Sequence, residues 1–221
     1  MLEDQLEKLT KQAFSSMPND LAEGLKKGIR EVKSSQLRKN ARNVGDLIGD
    51  LTLPNIYSED IDLKSLLKND YLLINFFRGS WCPFCSMELR EYERLKDEFH
   101  QNGIDIVAIS PEVTKYSLKT KEENSLSFEV LSDENSKAMK EFGIVFTLSP
   151  EVKKIYDGFG IDLKEQNGND SFEMPVPATY ILNKDFQVVF AHIEEDYMTR
   201  VDPLKVLEFI KTIEDIKIKN L

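Results

Sequence analysis

Residues 71–110 restrict the possible folds of this chain more than any other segment. "YLLINFF" (71–77) is an apolar run typical of a strand buried on both faces, and "IDIVAIS" (104–110) is a second run of that kind. Between them, large side chains recur at helical spacing, at Phe84, Leu89, Tyr92, Leu95 and Phe99. Gly103 is placed to end that helix. The pattern predicts a strand–helix–strand unit.

The rest of the chain extends this alternation. "SFEVLSD" (127–133) is typical of a strand, and 178–193 is typical of a hairpin turning at Asn183–Asp185. A final helix is expected to begin at Asp202, with Pro203 in its first turn. The segment 161–174 reads most simply as a surface loop. The order of these elements predicts an α/β fold with a mixed sheet over residues 43–221.

Residues 1–42 differ from the rest because their apolar side chains recur every three or four positions, with a break at "SMPND". This predicts a helical arm. The arm either packs on the main domain or joins two copies of the chain as a homodimer, and the pattern leaves both open.

Charge and hydropathy exclude several classes of partner. The 221-residue chain carries a formal net charge of −10, and binding to nucleic acid requires a basic surface. The run at 71–77 is far too short to cross a bilayer. The first residues mix charges and lack the apolar centre of a secretory signal. We therefore expect a cytoplasmic protein that binds neither nucleic acid nor membrane.

Both cysteines of the chain, Cys82 and Cys85, lie at the junction between the first strand and its helix. Cys82 takes the expected N-cap position and Pro83 the first helical position. Unpaired backbone N–H groups and the helix dipole favour an anion there, so a thiol is shifted toward the reactive thiolate. The spacing also permits a short disulfide, and we predict a redox-active pair.

Other uses of the cysteines are less well supported. A structural zinc site needs four ligands, and the only histidines, His100 and His192, lack ligand spacing. We therefore expect no metal. Two inert buried thiols remain an alternative, although their position at this junction would then be a coincidence.

The segment "FFRGSWCPFCSMELR" resembles the RGxWCPYC segment of peroxiredoxin-like proteins in the alkyl hydroperoxide reductase/thiol-specific antioxidant (AhpC/TSA) superfamily. The resemblance covers about residues 43–211 and continues in order through "VGDLIGDLTLPN", "VAISPE", "FEVLSDENSKAMKEFGIVFTL", "MPVPATYIL" and "DYMTRVDP". It implies a thioredoxin-like fold, with a mixed central sheet flanked by helices, and leaves the N-terminal helical extension outside.

The resemblance assigns the attacking sulfur in two ways. In the peroxiredoxin motif PxxxTxxC the final cysteine attacks peroxide; here it is Cys85, with Cys82 at the threonine and Arg78 at the proline position. "SWCPFC" also resembles the WCxxC of thioredoxins, whose first cysteine attacks disulfides, and this position is Cys82. "VPAT" resembles the thioredoxin loop with a cis-proline facing the cysteines, which predicts a cis bond at Pro177. Cys82 is therefore expected to attack disulfides and Cys85 peroxides, and only the pair is firmly assigned.

Four further residues are candidates for the site. The arginine that precedes a core strand in peroxiredoxins is absent from "PVPATYI", and Arg78 or Arg200 would supply that charge. Arg200 could equally form a surface ion pair. Ser80 is expected to shape the turn or hydrogen-bond a peroxide oxygen, and Trp81 to pack beside the cysteines.

The function implied first is a thiol peroxidase that reduces hydrogen peroxide or an alkyl hydroperoxide. It would form a Cys82–Cys85 disulfide and be reduced again by a thioredoxin- or glutaredoxin-type donor, with no metal, haem or nucleotide cofactor. The alternative is a thiol–disulfide oxidoreductase with little peroxidase activity. A redox sensor whose partner affinity follows the disulfide is a third reading.

Overall fold

The structure is a computed structural model that describes residues 1–219, with side chains as far as residue 213. The strands are β1 (Thr52–Pro54), β2 (Asp60–Asp62), β3 (Tyr71–Phe76), β4 (Ile104–Ser110), β5 (Glu129–Ser132), β6 (Val145–Thr147), β7 (Glu173–Pro175), β8 (Ala178–Asn183) and β9 (Val188–Ile193). The helices are α1 (Leu2–Ser16), α2 (Asn19–Ser34), α3 (Leu37–Asn40), α4 (Pro83–Gln101), α5 (Thr114–Glu123), α6 (Lys137–Glu141), α7 (Pro150–Gly158), α8 (Leu163–Asn167) and α9 (Pro203–Lys219).

The central sheet has five strands in the order β5-β4-β3-β8-β9. The strand β3 is parallel to β4 and antiparallel to β8, so that Ile74 pairs with Val107 on one side and with Tyr180 on the other. The strands β8 and β9 form the expected hairpin. The sheet is therefore mixed, as the order of the elements predicts, and its topology agrees with the thioredoxin-like fold that the resemblance implies.

The apolar run of β3 is explained by the two faces that it covers. Tyr71 and Leu73 pack in a cluster with side chains of α1, α4 and α9, whereas Leu72, Ile74 and Phe76 pack on the opposite face beside α6. A strand between two helical layers has no side exposed to water, and this removes the polar alternation of a surface strand. Each burial of a large apolar side chain stabilises the fold by about 1.5–3 kcal/mol.

The helix α4 begins and ends as its sequence predicts. Cys82 is the N-cap and Pro83 is the first helical residue, where its missing N–H costs nothing. Gly103 adopts φ +74° after the C-cap and donates its N–H to the carbonyl of His100. This start places both cysteines at the end of β3.

The N-terminal helices pack on the rest of the chain. α1 and α2 are separated at Met17 and Pro18, as expected. Leu2 and Leu6 are buried in the cluster that contains α4 and α9, and Leu25 of α2 is buried in a cluster with α7. Within residues 1–219, no helix is long and apolar enough to cross a membrane.

The segment 161–174 is not the surface loop that the sequence suggests. It contains α8 and the start of β7, which pairs with β6, and its Leu163 and Met174 are buried. This segment is held by its pairing with β6 and by an apolar cluster around α7. Its own short, polar sequence gives no indication of either contact.

Candidate active site

The two cysteines lie together beneath the surface. Both are free thiols with no exposed area, and their sulfurs are 2.9 Å apart. The N-cap position of α4, which Cys82 occupies, is thus buried rather than exposed to solvent. Phe84 and Met198 are buried in the same cluster, and the half-buried rings of Trp81 and Tyr197 pack against it. These apolar side chains cover the start of α4.

The environment gives the two sulfurs different acidities. Burial raises the pKa of Cys82, but a hydrogen bond from the Cys85 thiol and the charges of Arg78 and Arg200 outweigh it, and the pKa falls to about 6. Burial and the bond to Cys82 raise the pKa of Cys85 well above its usual range. The pair thus holds one negative charge, on Cys82, with Cys85 as the proton donor.

Arg200 is buried rather than part of a surface ion pair. Its Nε donates to Glu88 Oε2 at 2.6 Å, and its Nη1 donates to the carbonyls of Tyr197 and Thr199. Its Nη2 lies 3.3 Å from Cys85 Sγ. Burial raises the pKa of Glu88 to about 7 although Arg200 opposes that shift. Arg200 is thus held rigidly beside the pair, with nearly every donor in use.

Arg78 is buried in a different way. Its guanidinium lies against the rings of Tyr197, at 4.0 Å, and Trp81, at 4.6 Å, and Nη2 donates to the hydroxyl of Tyr156. Among the described residues, no carboxylate lies within ion-pair distance of it. Its charge lowers the pKa of Cys82, which makes it one of the two cations of the site.

Ser80 is held by a residue that the sequence analysis did not single out. Its N–H and hydroxyl donate to the two carboxylate oxygens of Glu112, at 2.8 and 2.9 Å. Glu112 has no exposed area, and burial raises its pKa to about 7. Glu112 lies just after β4, within the motif "VAISPE". Its position at the carboxyl end of a central strand is the sequence signal that could have identified it as a residue of the site. Its role is to fix the turn before the cysteines.

Gly79 allows that turn to form. Its φ is +151°, and a Cβ there would lie 2.5 Å from Trp81 Nε1 and 2.8 Å from Glu112 Oε1. Only glycine fits this position. The turn therefore brings the indole of Trp81 and the carboxylate of Glu112 close to Gly79, just before the cysteines in the chain.

Pro177 lies where the chain passes from β7 into β8, but its bond is not cis. No cis peptide bond occurs among the described residues. The Val176 N–H donates to the carbonyl of Ile144, and the carbonyl of Pro177 accepts from the Glu194 N–H. These bonds hold the chain extended between two strands, where the trans form, favoured by about 0.5–1 kcal/mol, fits.

A cavity of about 520 Å³ opens beside this site. Arg78, Pro177 and Tyr197 line it together with α2 and the segment from β6 to α7. Among side chains through residue 213, no group of three or more histidine, cysteine or acidic residues is arranged to hold a metal ion. The arrangement is that of a buried dithiol with two cations, next to a largely apolar cavity.

Known proteins with similar chains are thiol enzymes of two kinds. Peroxiredoxin Bcp of Escherichia coli K12 is 26% identical over 119 residues, which are 54% of this chain and 75% of that protein. The thiol-disulfide oxidoreductase ResA of Bacillus thuringiensis subsp. konkukian is 25% identical over 123 residues, 51% of this chain and 70% of that protein. Both are oxidoreductases.

The fold agrees with these relatives. The crystal structure of peroxidoxin BcpB from Mycobacterium tuberculosis matches with a TM-score of 0.63 at 21% identity, over 77% of this chain and 97% of that one. The AhpC/TSA family model matches residues 44–191 of the 221. The chain therefore belongs to the AhpC/TSA family of thioredoxin-fold oxidoreductases.

Proposed function

We propose that this protein is a thiol peroxidase that reduces hydroperoxides through Cys82 and Cys85. The observation that carries the proposal is the buried pair of sulfurs 2.9 Å apart, beside two arginines whose charges lower the pKa of Cys82. A protein disulfide must bring its own sulfur into contact with the attacking one. A small peroxide needs only a narrow path, so the burial favours peroxide as the oxidant.

The proposed chemistry begins at Cys82. Its thiolate attacks one oxygen of the hydroperoxide, the O–O bond breaks, and the leaving oxygen takes a proton to depart as an alcohol or as water. Cys82 is then a sulfenic acid. The Cys85 sulfur attacks it, the S–O bond breaks, and the Cys85 proton leaves with the hydroxyl group as water. The product is the Cys82–Cys85 disulfide.

The choice of Cys82 follows from acidity. The peroxiredoxin alignment favours Cys85 for attack on peroxide, whereas the thioredoxin alignment favours Cys82. The attacking form is the thiolate, and burial raises the pKa of Cys85 while its neighbours lower that of Cys82. Cys85, 2.9 Å away, is placed to resolve the intermediate.

The other candidate residues support this pair in the proposal. Arg78 and Arg200 stabilise the thiolate and the charge that develops on the leaving oxygen. Ser80, held by Glu112, fixes the turn. Trp81 covers the pair and keeps water out, and Pro177 forms part of the cavity wall.

A dithiol donor of the thioredoxin or glutaredoxin type would complete the cycle. It passes two electrons and two protons to the disulfide and becomes a disulfide itself. The cytoplasmic location, the homodimer and the division into an arm (1–42) and a redox domain (43–221) remain predictions. So does the absence of a cofactor.

The second candidate function is thiol–disulfide exchange. ResA relatives and the WCxxC-like spacing favour it, and a first cysteine with a pKa of about 6 suits it. Exchange would require residues 194–202, which carry Tyr197, Met198 and Arg200, to move away from the sulfurs. The two functions therefore differ in the size of the oxidant that reaches Cys82.

Stopped-flow fluorescence separates the two, because the single tryptophan, Trp81, adjoins Cys82. The reduced protein is mixed with hydrogen peroxide, with cumene hydroperoxide, and with an oxidised thioredoxin-type protein. A peroxidase reacts with a hydroperoxide far faster than a free thiol does, and Cys82→Ser abolishes this. Reaction with peroxide no faster than a free thiol, beside rapid reaction with the oxidised protein, would leave only the exchange function.

A further inference from the structure

The two buried arginines of the site differ in the anions and hydrogen-bond acceptors that surround their guanidinium groups. Arg200 has Glu88 at 2.6 Å and two backbone carbonyls as acceptors. Arg78 is 3% exposed, with the neutral hydroxyls of Tyr156 and Tyr197 as acceptors and aromatic rings over its faces. A guanidinium has five N–H donors, and a buried cation without an anion is costly. Arg78 therefore has donors left for a ligand.

Arg78 lines the cavity of about 520 Å³, whose size is that of a small-molecule site. Apolar side chains of α2 line one side of it, and others from the segment between the start of β6 and α7 line the opposite side; they are Leu25, Ile29 and Val32, and Val145, Leu148 and Val152. Two acidic residues, Glu31 and Glu195, also line it, but neither is within ion-pair distance of Arg78. The cavity thus combines apolar walls with one buried cation.

We propose that this cavity binds an amphipathic monocarboxylate, an acyl chain with one carboxylate, whose charged end pairs with Arg78. A carboxylate matches the fork of a guanidinium, and the apolar walls match an acyl chain. The wall formed by α2 lies outside the family match, which begins at residue 44. One wall of the site is therefore supplied by a helix that lies outside the family match, whereas Arg78 and the opposite wall lie within it.

The oxidation state of the cysteines governs this binding. In the dithiol form the charge of Arg78 stabilises the Cys82 thiolate and so lowers the pKa of that sulfur. The disulfide contains no thiolate, so Arg78 stabilises no sulfur anion there and the carboxylate binds more tightly. By linkage, the carboxylate also favours the disulfide and makes the reduction potential of the pair more negative. This redox dependence rests on the pair of the proposed function, whereas the binding itself does not.

Titration of the full chain with decanoate, by calorimetry and by Trp81 fluorescence, tests the proposal. The disulfide form is expected to bind decanoate at least about fivefold more tightly than the dithiol form. Decanol, which lacks the charge, is expected to bind about tenfold more weakly than decanoate. Decanoate is likewise expected to bind the Arg78→Met variant about tenfold more weakly than it binds the parent protein. Cys82→Ser, which carries no thiolate, should bind decanoate as the disulfide form does.

Because Arg78→Met could lose binding simply by misfolding, a second variant alters the cavity while leaving Arg78 in place. Thr147→Trp puts a large ring into the cavity from exposed Thr147 and is expected to abolish binding, whereas Thr52→Trp, on an exposed strand position elsewhere, is not. Equal affinity for decanoate and decanol, equal affinity in both redox forms, or binding that survives Thr147→Trp would each overturn the proposal. Redox-dependent binding without peroxidase activity would uphold it and refute the proposed function instead.

Discussion

At the scale of single residues, the site depends on charge. Two arginines that are distant in sequence, Arg78 and Arg200, converge on two sulfurs that the sequence already places together. The motif identified the cysteines because a strand–helix junction fixes their position. It did not reveal how either arginine is bound, since Glu88, Tyr156 and the 194–202 segment come together only in the folded chain.

The first prediction concerns the acidity of Cys82. Alkylation of the reduced protein by iodoacetamide should rise with pH through a midpoint near 6, because the thiol is protonated below that pH and a thiolate above it. Arg78→Met removes a nearby positive charge and should move the midpoint upward. Arg90→Met, on α4 but bonded to Asn124, should leave it unchanged. Equal midpoints in all three proteins would refute the role of Arg78.

At the scale of helices and strands, the sequence predicts the elements that local residue patterns determine, but not those that are held by contacts with distant parts of the chain. The strands β3 and β4, the helix α4 and the β8–β9 hairpin follow from apolar spacing and turn residues. The helix α8 and the strand β7 do not, because their five and three residues are held by β6 and α7. The trans bond at Pro177 was missed for the same reason: flanking strand bonds, and not the local motif, fix it.

Asp202 is expected to contribute more to the free energy of unfolding than an ordinary helix cap does. Its carboxylate accepts from the Leu204 N–H at 3.1 Å and from the Leu2 N–H at 2.9 Å, and so joins α9 to α1 in a buried position. Asp202→Ala should lower the free energy of unfolding by about 1–3 kcal/mol in urea titrations. Asp162→Ala removes an exposed cap from α8 and should cost less. The reverse order would contradict this account.

At the scale of the whole molecule, the N-terminal helices form part of the same folded body. α2 approaches α7 so closely that a Cβ at Gly28 would lie 2.6 Å from Val152 Cγ2, and one at Gly24 would lie 2.5 Å from Ile155 Cδ1. This contact also forms one side of the cavity. The packed arrangement was one of the two expected from the sequence, and the homodimer is still a prediction.

A pair of glycine substitutions tests the close approach of the two helices. Helix propensity alone would make Gly→Ala stabilising by about 0.5–1 kcal/mol. Gly28→Ala should instead destabilise the protein, because the new methyl group collides with Val152. Gly158→Ala, in the last turn of α7 with no heavy atom within 4 Å, should be neutral or stabilising. Urea titrations in which Gly28→Ala stabilises the protein as much as Gly158→Ala does would contradict the close approach of α2 to α7.

The central claim, that the Cys82 thiolate attacks a hydroperoxide and Cys85 resolves the product, has one direct test. Cys82→Ser and Cys85→Ser are each treated with one equivalent of cumene hydroperoxide in the presence of dimedone, which traps sulfenic acid, and the intact mass is measured. A rapid dimedone adduct is expected on Cys82 in Cys85→Ser, and little or none is expected in Cys82→Ser. An adduct that forms rapidly only on Cys85, in Cys82→Ser, would contradict the central claim.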